Sequence, residues 1–436
     1  MAGTSATAVP PAADATGAAS DGYARGARIL SIGIASTGLF TFAYFAVASH
    51  VLPSTAYGAI SLLWSVLFVV ISVIYRPVEQ LLSRTIADRR ARGIAGRHPL
   101  RVPLTVQGGF AVAFLVVALA LRAWIEDGFG GSATLYWVFV GATVAYGASY
   151  FARGYLAGHQ WFGLYGSLVL FESISRFCFP VAVAVGLASG QSAVALGILA
   201  APLASLLVVP WALARHSGAA RTEGPSAGDL TLRAGAGFAL SVAAIQLAEQ
   251  TLLNAAVLTV GASAGTALAG VVFNALLITR APLQLFQSVQ TSLLPHLSGL
   301  EATEGREAFA RAIRITILAI AAFAGAVAIG LLAIGPPVMD LVFGGGHDYD
   351  RAGLVVIAIG MGLHLCAGTL NQAALARGQA RAAAGAWLLA AVAFVAWMVV
   401  PVVSDQLLRA EVGYAGAAAL LCAMLAGVYA RGRRPA

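Results

Sequence analysis

From Ile29 onwards the chain is a succession of apolar stretches, each near the length that crosses a lipid bilayer and each ended by a short polar or Pro/Gly-containing break. A spanning helix needs about 20 apolar residues, and inside the hydrocarbon only a helix or a closed barrel satisfies its own backbone groups. Stretches of this kind lie at about 29–51, 56–76, 102–122, 132–153, 163–188 and 192–213, and again at 235–260, 265–292, 313–336, 352–375, 382–403 and 412–430. Only 10% of the 436 residues are charged, too few to cover a water-facing surface when soluble chains carry roughly a quarter. The expected fold class is therefore an all-α polytopic membrane protein, with about twelve transmembrane helices in two six-helix lobes. A soluble enzyme, a secreted domain and a disordered chain are excluded.

The division into domains follows from composition. Residues 1–24, rich in Ala, Thr, Ser, Pro and Gly, should form a disordered cytoplasmic tail, with no basic n-region and cleavage site of a signal peptide. Helices 1–6 fill an N-lobe over 25–214, a cytoplasmic linker covers 215–233, and helices 7–12 form a C-lobe over 234–430. A short cytoplasmic tail, 431–436, closes the chain.

All 26 basic residues are arginine, and the formal net charge is +8. Without lysine there is neither a P-loop nor a Schiff-base amine. The arginines cluster after even-numbered spans: Arg84, Arg89, Arg90, Arg92, Arg97 and Arg101, then Arg153, Arg215, Arg221 and Arg233, then Arg306, Arg311, Arg314, Arg377 and Arg381, and the tail Arg431, Arg433 and Arg434. Only Arg122, Arg351 and Arg409 fall on the other side. This positive-inside pattern predicts a multi-pass protein of the bacterial cytoplasmic (inner) membrane with both termini cytoplasmic. The surplus charge is an orientation signal and implies no nucleic-acid partner. Cys178, Cys366 and Cys422 lie in separate apolar runs and read as small buried hydrophobes. No metal-ligating cluster, nucleotide loop or ion-channel filter is present, so no cofactor, metal or catalytic residue is expected.

The halves echo each other. Tyr75-Arg76-Pro77-Val78-Glu79-Gln80-Leu81 of span two matches Arg280-Ala281-Pro282-Leu283-Gln284-Leu285-Phe286 of span eight, and Leu156-Ala157-Gly158-His159-Gln160 matches Leu375-Ala376-Arg377-Gly378-Gln379. Parallel repeats six spans apart place a pseudo-two-fold axis along the membrane normal, with a substrate path between the lobes.

A charge at mid-membrane costs about 2.5–3.5 kcal/mol on insertion scales, so each buried polar group asks for a partner or a function. Span seven carries Gln246, Glu249, Gln250 and Asn254 on one helical stripe, and span eight carries Arg280, Gln284, Gln287 and Thr291 on another. A Gly261-Ala262-Ser263 turn would join the two spans as a hairpin, leaving Glu249 and Arg280 about 6 Å apart in depth. The pair reads either as a structural staple or as a functional pair lining a cavity, and the flanking amides favour the second. Glu172 and Arg176 in span five stand at i, i+4, with Tyr165 on their face, and would neutralise each other. Arg153 should snorkel to the cytosolic interface. His364, Asn371 and Gln372 share a face of span ten, where packing with a hydrogen-bonded ring explains the histidine. Arg76 and Glu79 either line an inner mouth or cap a helix that runs on into the cytosol.

The stretch Val51-Leu52-Pro53-Ser54-Thr55-Ala56-Tyr57-Gly58 is similar to the Pro- and Tyr-Gly-containing turn of polysaccharide transporters, members of the multidrug/oligosaccharidyl-lipid/polysaccharide (MOP) flippase superfamily. Arg153-Gly154-x-x-x-Gly158 leading to Arg176, and the Pro-containing stretch from Arg280 to Pro295, resemble the same family. The resemblance extends over about residues 25–430. It implies two six-helix lobes around a V-shaped cavity and, for this type of member, movement of polyprenyl-diphosphate-linked sugars across the membrane. Span one has no charge between Ile29 and Ser49, unlike lipid II flippases, which argues against that substrate.

The expected function is thus a flippase for a lipid-linked oligosaccharide or polysaccharide precursor in cell-envelope biosynthesis, driven by H+ or Na+ and working in the lipid bilayer. Arg280 would bind phosphate, Gln246, Gln250, Asn254, Gln284 and Gln287 would contact sugar, Glu249 would balance Arg280 or couple to an ion, and Glu172 and Arg176 complete the binding set. The alternative is an ion-coupled efflux antiporter for drugs or organic cations, since such members of the superfamily depend on membrane carboxylates and Glu249 supplies one. A third reading, a membrane glycosyltransferase or polymerase, would need catalytic Asp340, Asp348 or Asp350.

Overall fold

A computed structural model describes residue 33 and residues 36–91, 100–216, 231–278, 305–344, 349–377 and 379–431. In chain order the helices are α1 (36–51), α2 (Ser54–Ile74), α3 (Arg76–Ala91), α4 (Arg101–Ala120), α5 (Arg122–Gly128), α6 (Ala133–Gly158), α7 (Phe162–Ala184), α8 (Gly190–Ser205), α9 (Val209–His216), α10 (Leu232–Ala264), α11 (Thr266–Ile278), α12 (Gly305–Phe343), α13 (Arg351–Ala376), α14 (Ala380–Val399) and α15 (Gln406–Arg431). No strand is present among the described residues.

Ten of the described helical segments are long and apolar enough to cross a membrane, with α2 and α3 forming one of them and α8 with α9 another. The helix at 36–51 and Thr266–Ile278 are the described parts of the two remaining expected spans. The tail at 1–24, most of the 215–233 linker and residues 432–436 lie outside the described residues.

The breaks have local causes. Pro77 has no N–H to give the Val73 carbonyl, so α2 ends before Tyr75 and the helix resumes as α3 at Arg76. Arg76 and Glu79 therefore head a helix that stays packed against the bundle. The α10–α11 turn is tighter than expected: Gly261, Ala262 and Ser263 are still helical, and the reversal falls on Gly265, whose φ of 89° suits glycine.

Burial separates central helices from rim helices. In α13, 78% of the spanning window is buried, whereas α4 and α12 have 17% and 22% and turn Val112, Val116, Ile329 and Leu332 outward. Such faces would be aggregation-prone in water and match acyl chains in a bilayer. In the N-lobe α6 packs on α3 and α8, and α7 on α8; in the C-lobe α13 packs between α12 and α15. The long α10 packs on α2 and α3 of one lobe and on α14 of the other, so it forms the seam between them.

Candidate functional site

Small residues bring three N-lobe helices within reach of one another. A Cβ on Gly154 would stand 2.7 Å from the Glu79 carbonyl oxygen, and one on Gly158 would meet Ile86 at the same distance. The Gly154-x-x-x-Gly158 motif is thus the packing seam of α6 on α3, the small-xxx-small solution to close approach in a membrane. Gly147, one helical stretch earlier, lies under the Tyr75 ring.

This close approach builds a polar belt. Arg153 of α6 pairs with the Glu172 carboxylate of α7 and lies 4.5 Å over the Tyr150 ring. Ser149 donates to the same Glu172 oxygen at 3.3 Å, and the Ser205 hydroxyl of α8 lies 3.0 Å from that of Ser149. Tyr165 donates to Glu79 at 2.7 Å, tying α7 to α3. Arg76 reaches across the lobe seam, donating to Gln246 of α10 at 2.9 Å, and Gln246 donates to Glu249 at 3.1 Å. Opposite charges in a low-dielectric interior attract more strongly than in water, which offsets the cost of desolvating them only because partners and hydrogen bonds are supplied together.

Two sequence expectations change here. Glu172 and Arg176 do not neutralise each other. A helical i, i+4 pair is worth only about 0.2–0.5 kcal/mol, and the charge-assisted bond across to Arg153 outcompetes it. Arg176, 1% exposed, turns the other way and donates to Tyr146 at 3.2 Å and Thr41 at 3.0 Å, with its guanidinium 4.4 Å over the Trp64 ring. Arg153 does not snorkel to the interface; its side chain is 12% exposed, because the glycine seam holds that part of α6 against α3.

The remaining site residues fall into two groups. Gln246, Gln250 and Asn254 are buried on α10, with Asn254 donating to the Gln250 side chain at 3.1 Å, while Glu249 is half-buried. Arg280, Gln284 and Gln287 lie outside the described residues, and so does the expected Glu249–Arg280 pair. Among the described residues, Glu249 is linked to Arg76 through Gln246. In the C-lobe His364 lies edge-on to Trp387, 5.6 Å between centroids, and Trp387 donates to Asn371 at 3.2 Å, as expected of a packed ring.

Sequence reasoning passed over Arg76, Glu79, Arg153, Ser149 and Ser205 as members of one site. The glycine spacing after Arg153 was the available signal, since it marks a helix face too tightly packed for a side chain to leave.

A second feature links the lobes at the end bearing the 52–54 and 264–266 turns. Tyr57 of α2 donates to the Asn274 side chain of α11, and Asn274 donates to Tyr349 at 3.3 Å. A Cβ on Gly58 would overlap the Thr266 carbonyl, at 1.8 Å from its oxygen, and Phe45 and Phe273 have centroids 4.5 Å apart. The Tyr57-Gly58 pair thus closes this end of the seam.

No protein-family model matches the sequence, and no curated protein matches it. Solved structures do share its fold. An inward-facing multidrug resistance MATE family transporter of the MOP superfamily aligns with TM-score 0.67 and 14% identity, covering 93% of this chain and 97% of that one. The Vibrio cholerae MATE transporter VcmN aligns with TM-score 0.64 and 13% identity, covering 95% and 97%. An outward-facing multidrug resistance MATE family transporter aligns with TM-score 0.60 and 16% identity, covering 94% of each chain. The two-lobed all-helical fold is thereby shown. The lipid-linked glycan expectation, with its cell-envelope role, is corrected: the fold neighbours reported are MATE transporters, two of them described as multidrug resistance transporters, and they favour the efflux alternative over the polysaccharide subtype.

Proposed function

We propose that this chain is an ion-coupled efflux carrier for organic cations, working by alternating access of its two lobes in a bacterial cytoplasmic membrane. The observation that carries the reading is the belt itself: Glu79, Glu172 and Glu249 stand on α3, α7 and α10, within spanning helices, each held by a hydrogen-bonded partner, and the Arg76–Gln246–Glu249 bonds cross the lobe seam. Carboxylates placed there attract cations and take up or release coupling ions, H+ or Na+, while tyrosine faces suit organic cations. The MATE fold neighbours support the same reading.

The arginine asymmetry supports cytoplasmic termini, and with that orientation the Tyr57–Asn274 closure belongs to the outer side. Arg280, Gln284 and Gln287 are assigned to the same path, on the strength of their shared stripe in span eight.

Expression in a bacterium stripped of its own drug pumps tests the proposal. Ethidium accumulation should fall, a protonophore or removal of Na+ should restore it, and Glu172→Gln should cost about tenfold in efflux rate, the equivalent of ~1.4 kcal/mol. Unchanged accumulation under both gradients would reject the function. Full activity of Arg280→Ala would remove that residue from the path.

A further inference from the structure

We infer that Glu172, Tyr150 and the Ser149–Ser205 hydroxyl pair form a seat for a guanidinium-type organic cation, and that Arg153 fills it as a tethered stand-in for the substrate. The biological use of the seat rests on the efflux reading; its chemistry rests on the geometry alone.

The seat has the parts that recognise a flat organic cation. A carboxylate provides charge and acceptors, with the Glu172 side chain only 6% exposed. An aromatic face lies against the cation, with Tyr150 at 4.5 Å from the guanidinium carbon. Ser149, fully buried, donates to the carboxylate and fixes its orientation, while the Ser205 hydroxyl of α8, also fully buried, lies 3.0 Å from Ser149 and 2.6 Å from the Pro202 carbonyl oxygen. These parts come from α6, α7 and α8, so the seat is a property of the N-lobe bundle and not of one helix.

Its occupant fits incompletely. Arg153 engages Glu172 through one terminal nitrogen, and its Nε–H is buried without an acceptor. A guanidinium matches a carboxylate best with two parallel N–H donors, a geometry that a side chain anchored at its own Cα does not reach here. A free cation of the same shape has no such tether. The buried Nε–H, left without an acceptor, weakens Arg153 as a competitor.

Arg153 also has somewhere to go. Glu79, held by Tyr165, stands on α3 where its backbone packs against Gly154, the residue next to Arg153. An incoming cation can take Glu172 while Arg153 turns towards Glu79, so charge stays balanced as the seat is exchanged. Arg176 provides the contrast. Its guanidinium also covers a ring, but its partners are the Thr41 and Tyr146 hydroxyls, so it has no carboxylate to surrender and serves as packing.

The test is chemical rescue with the purified full-length protein in detergent, using methylguanidinium chloride as the probe and an equal concentration of NaCl as the control. Arg153→Ala should melt at a higher temperature with methylguanidinium, by several degrees and saturably, whereas the wild type, in which the probe must first displace Arg153, should respond only at much higher concentration. The shift should vanish in Arg153→Ala/Glu172→Gln and be much smaller for tetramethylammonium, which has no N–H donors. No shift in Arg153→Ala, or an equal shift in the double variant, overturns the inference. If the alanine variant does not fold, Arg153→Gln, which keeps bulk and one amide donor, is titrated in the same way and judged by the same outcomes. Binding without ethidium efflux would sink the carrier reading and leave the seat; efflux without Glu172-dependent binding would do the reverse.

Discussion

A methyl group on Gly154 would meet the backbone of α3, because the Glu79 carbonyl lies 2.7 Å from the position it would take. Backbone does not yield as a flexible side chain does, so Gly154→Ala should destabilise the protein by about 1–3 kcal/mol, the usual cost of overpacking. Thermal denaturation in detergent checks this, and Gly163→Ala, with open space around it, should be neutral. The ion pair beside this seam separates stability from function. Removing Arg153 alone strands a buried carboxylate, a loss of about 3–5 kcal/mol, whereas an apolar pair of similar volume is often tolerated. Arg153→Met/Glu172→Leu should therefore recover much of the melting temperature lost by Arg153→Met, yet remain inactive in efflux. Recovery of transport along with stability would show the pair to be a staple.

Among the elements, α2, α10 and α11 form the closure between lobes. Hydrophobic contact such as Phe45 on Phe273 holds the helices together, while the Tyr57–Asn274–Tyr349 bonds give the contact a fixed register. A carrier that alternates must break this closure, so its strength sets a conformational equilibrium. Tyr57→Phe removes one hydrogen bond, worth about 1 kcal/mol, and should raise the open population roughly fivefold. Spin labels at the exposed Ser54 and Ser263 report it as growth of a longer-distance component; an unchanged distribution would mean that the bond does not restrain the lobes. Gly58→Leu should push the same way and further, since a side chain there overlaps the Thr266 carbonyl.

For the whole molecule, the bilayer is the solvent that the outer faces are made for. Residues such as Leu39, Ile329 and Val392 are well exposed on helices that carry few charges, so detergent or lipid must cover them. The arginine asymmetry then decides orientation. Green fluorescent protein fused after Ala436 should fluoresce, and alkaline phosphatase fused at the same place should be inactive, the outcome expected if the arginine asymmetry sets a cytoplasmic C-terminus. Changing Arg84, Arg89 and Arg90 together to alanine should weaken this preference and give mixed orientation.

Much of this was legible in the amino acids. Apolar stretches of bilayer length, punctuated by arginine on alternate sides, determine the class of fold and the count of spans, because backbone satisfaction and charge transfer act locally and leave a one-dimensional trace. The stripe Gln246, Gln250 and Asn254 was legible for the same reason, as helical period alone sets it. The partners were not. Glu172 lies one helical turn from Arg176 in sequence, yet its partner is Arg153, nineteen residues away; that Gln246 links Glu249 to Arg76 of the other lobe was not legible either. Which of several near-equal charge pairings forms depends on how closely helices approach, and that is decided by glycine seams such as Gly154 on Glu79 and by the break at Pro77. Local energies choose the helices; only the packing of the bundle chooses which buried charges meet.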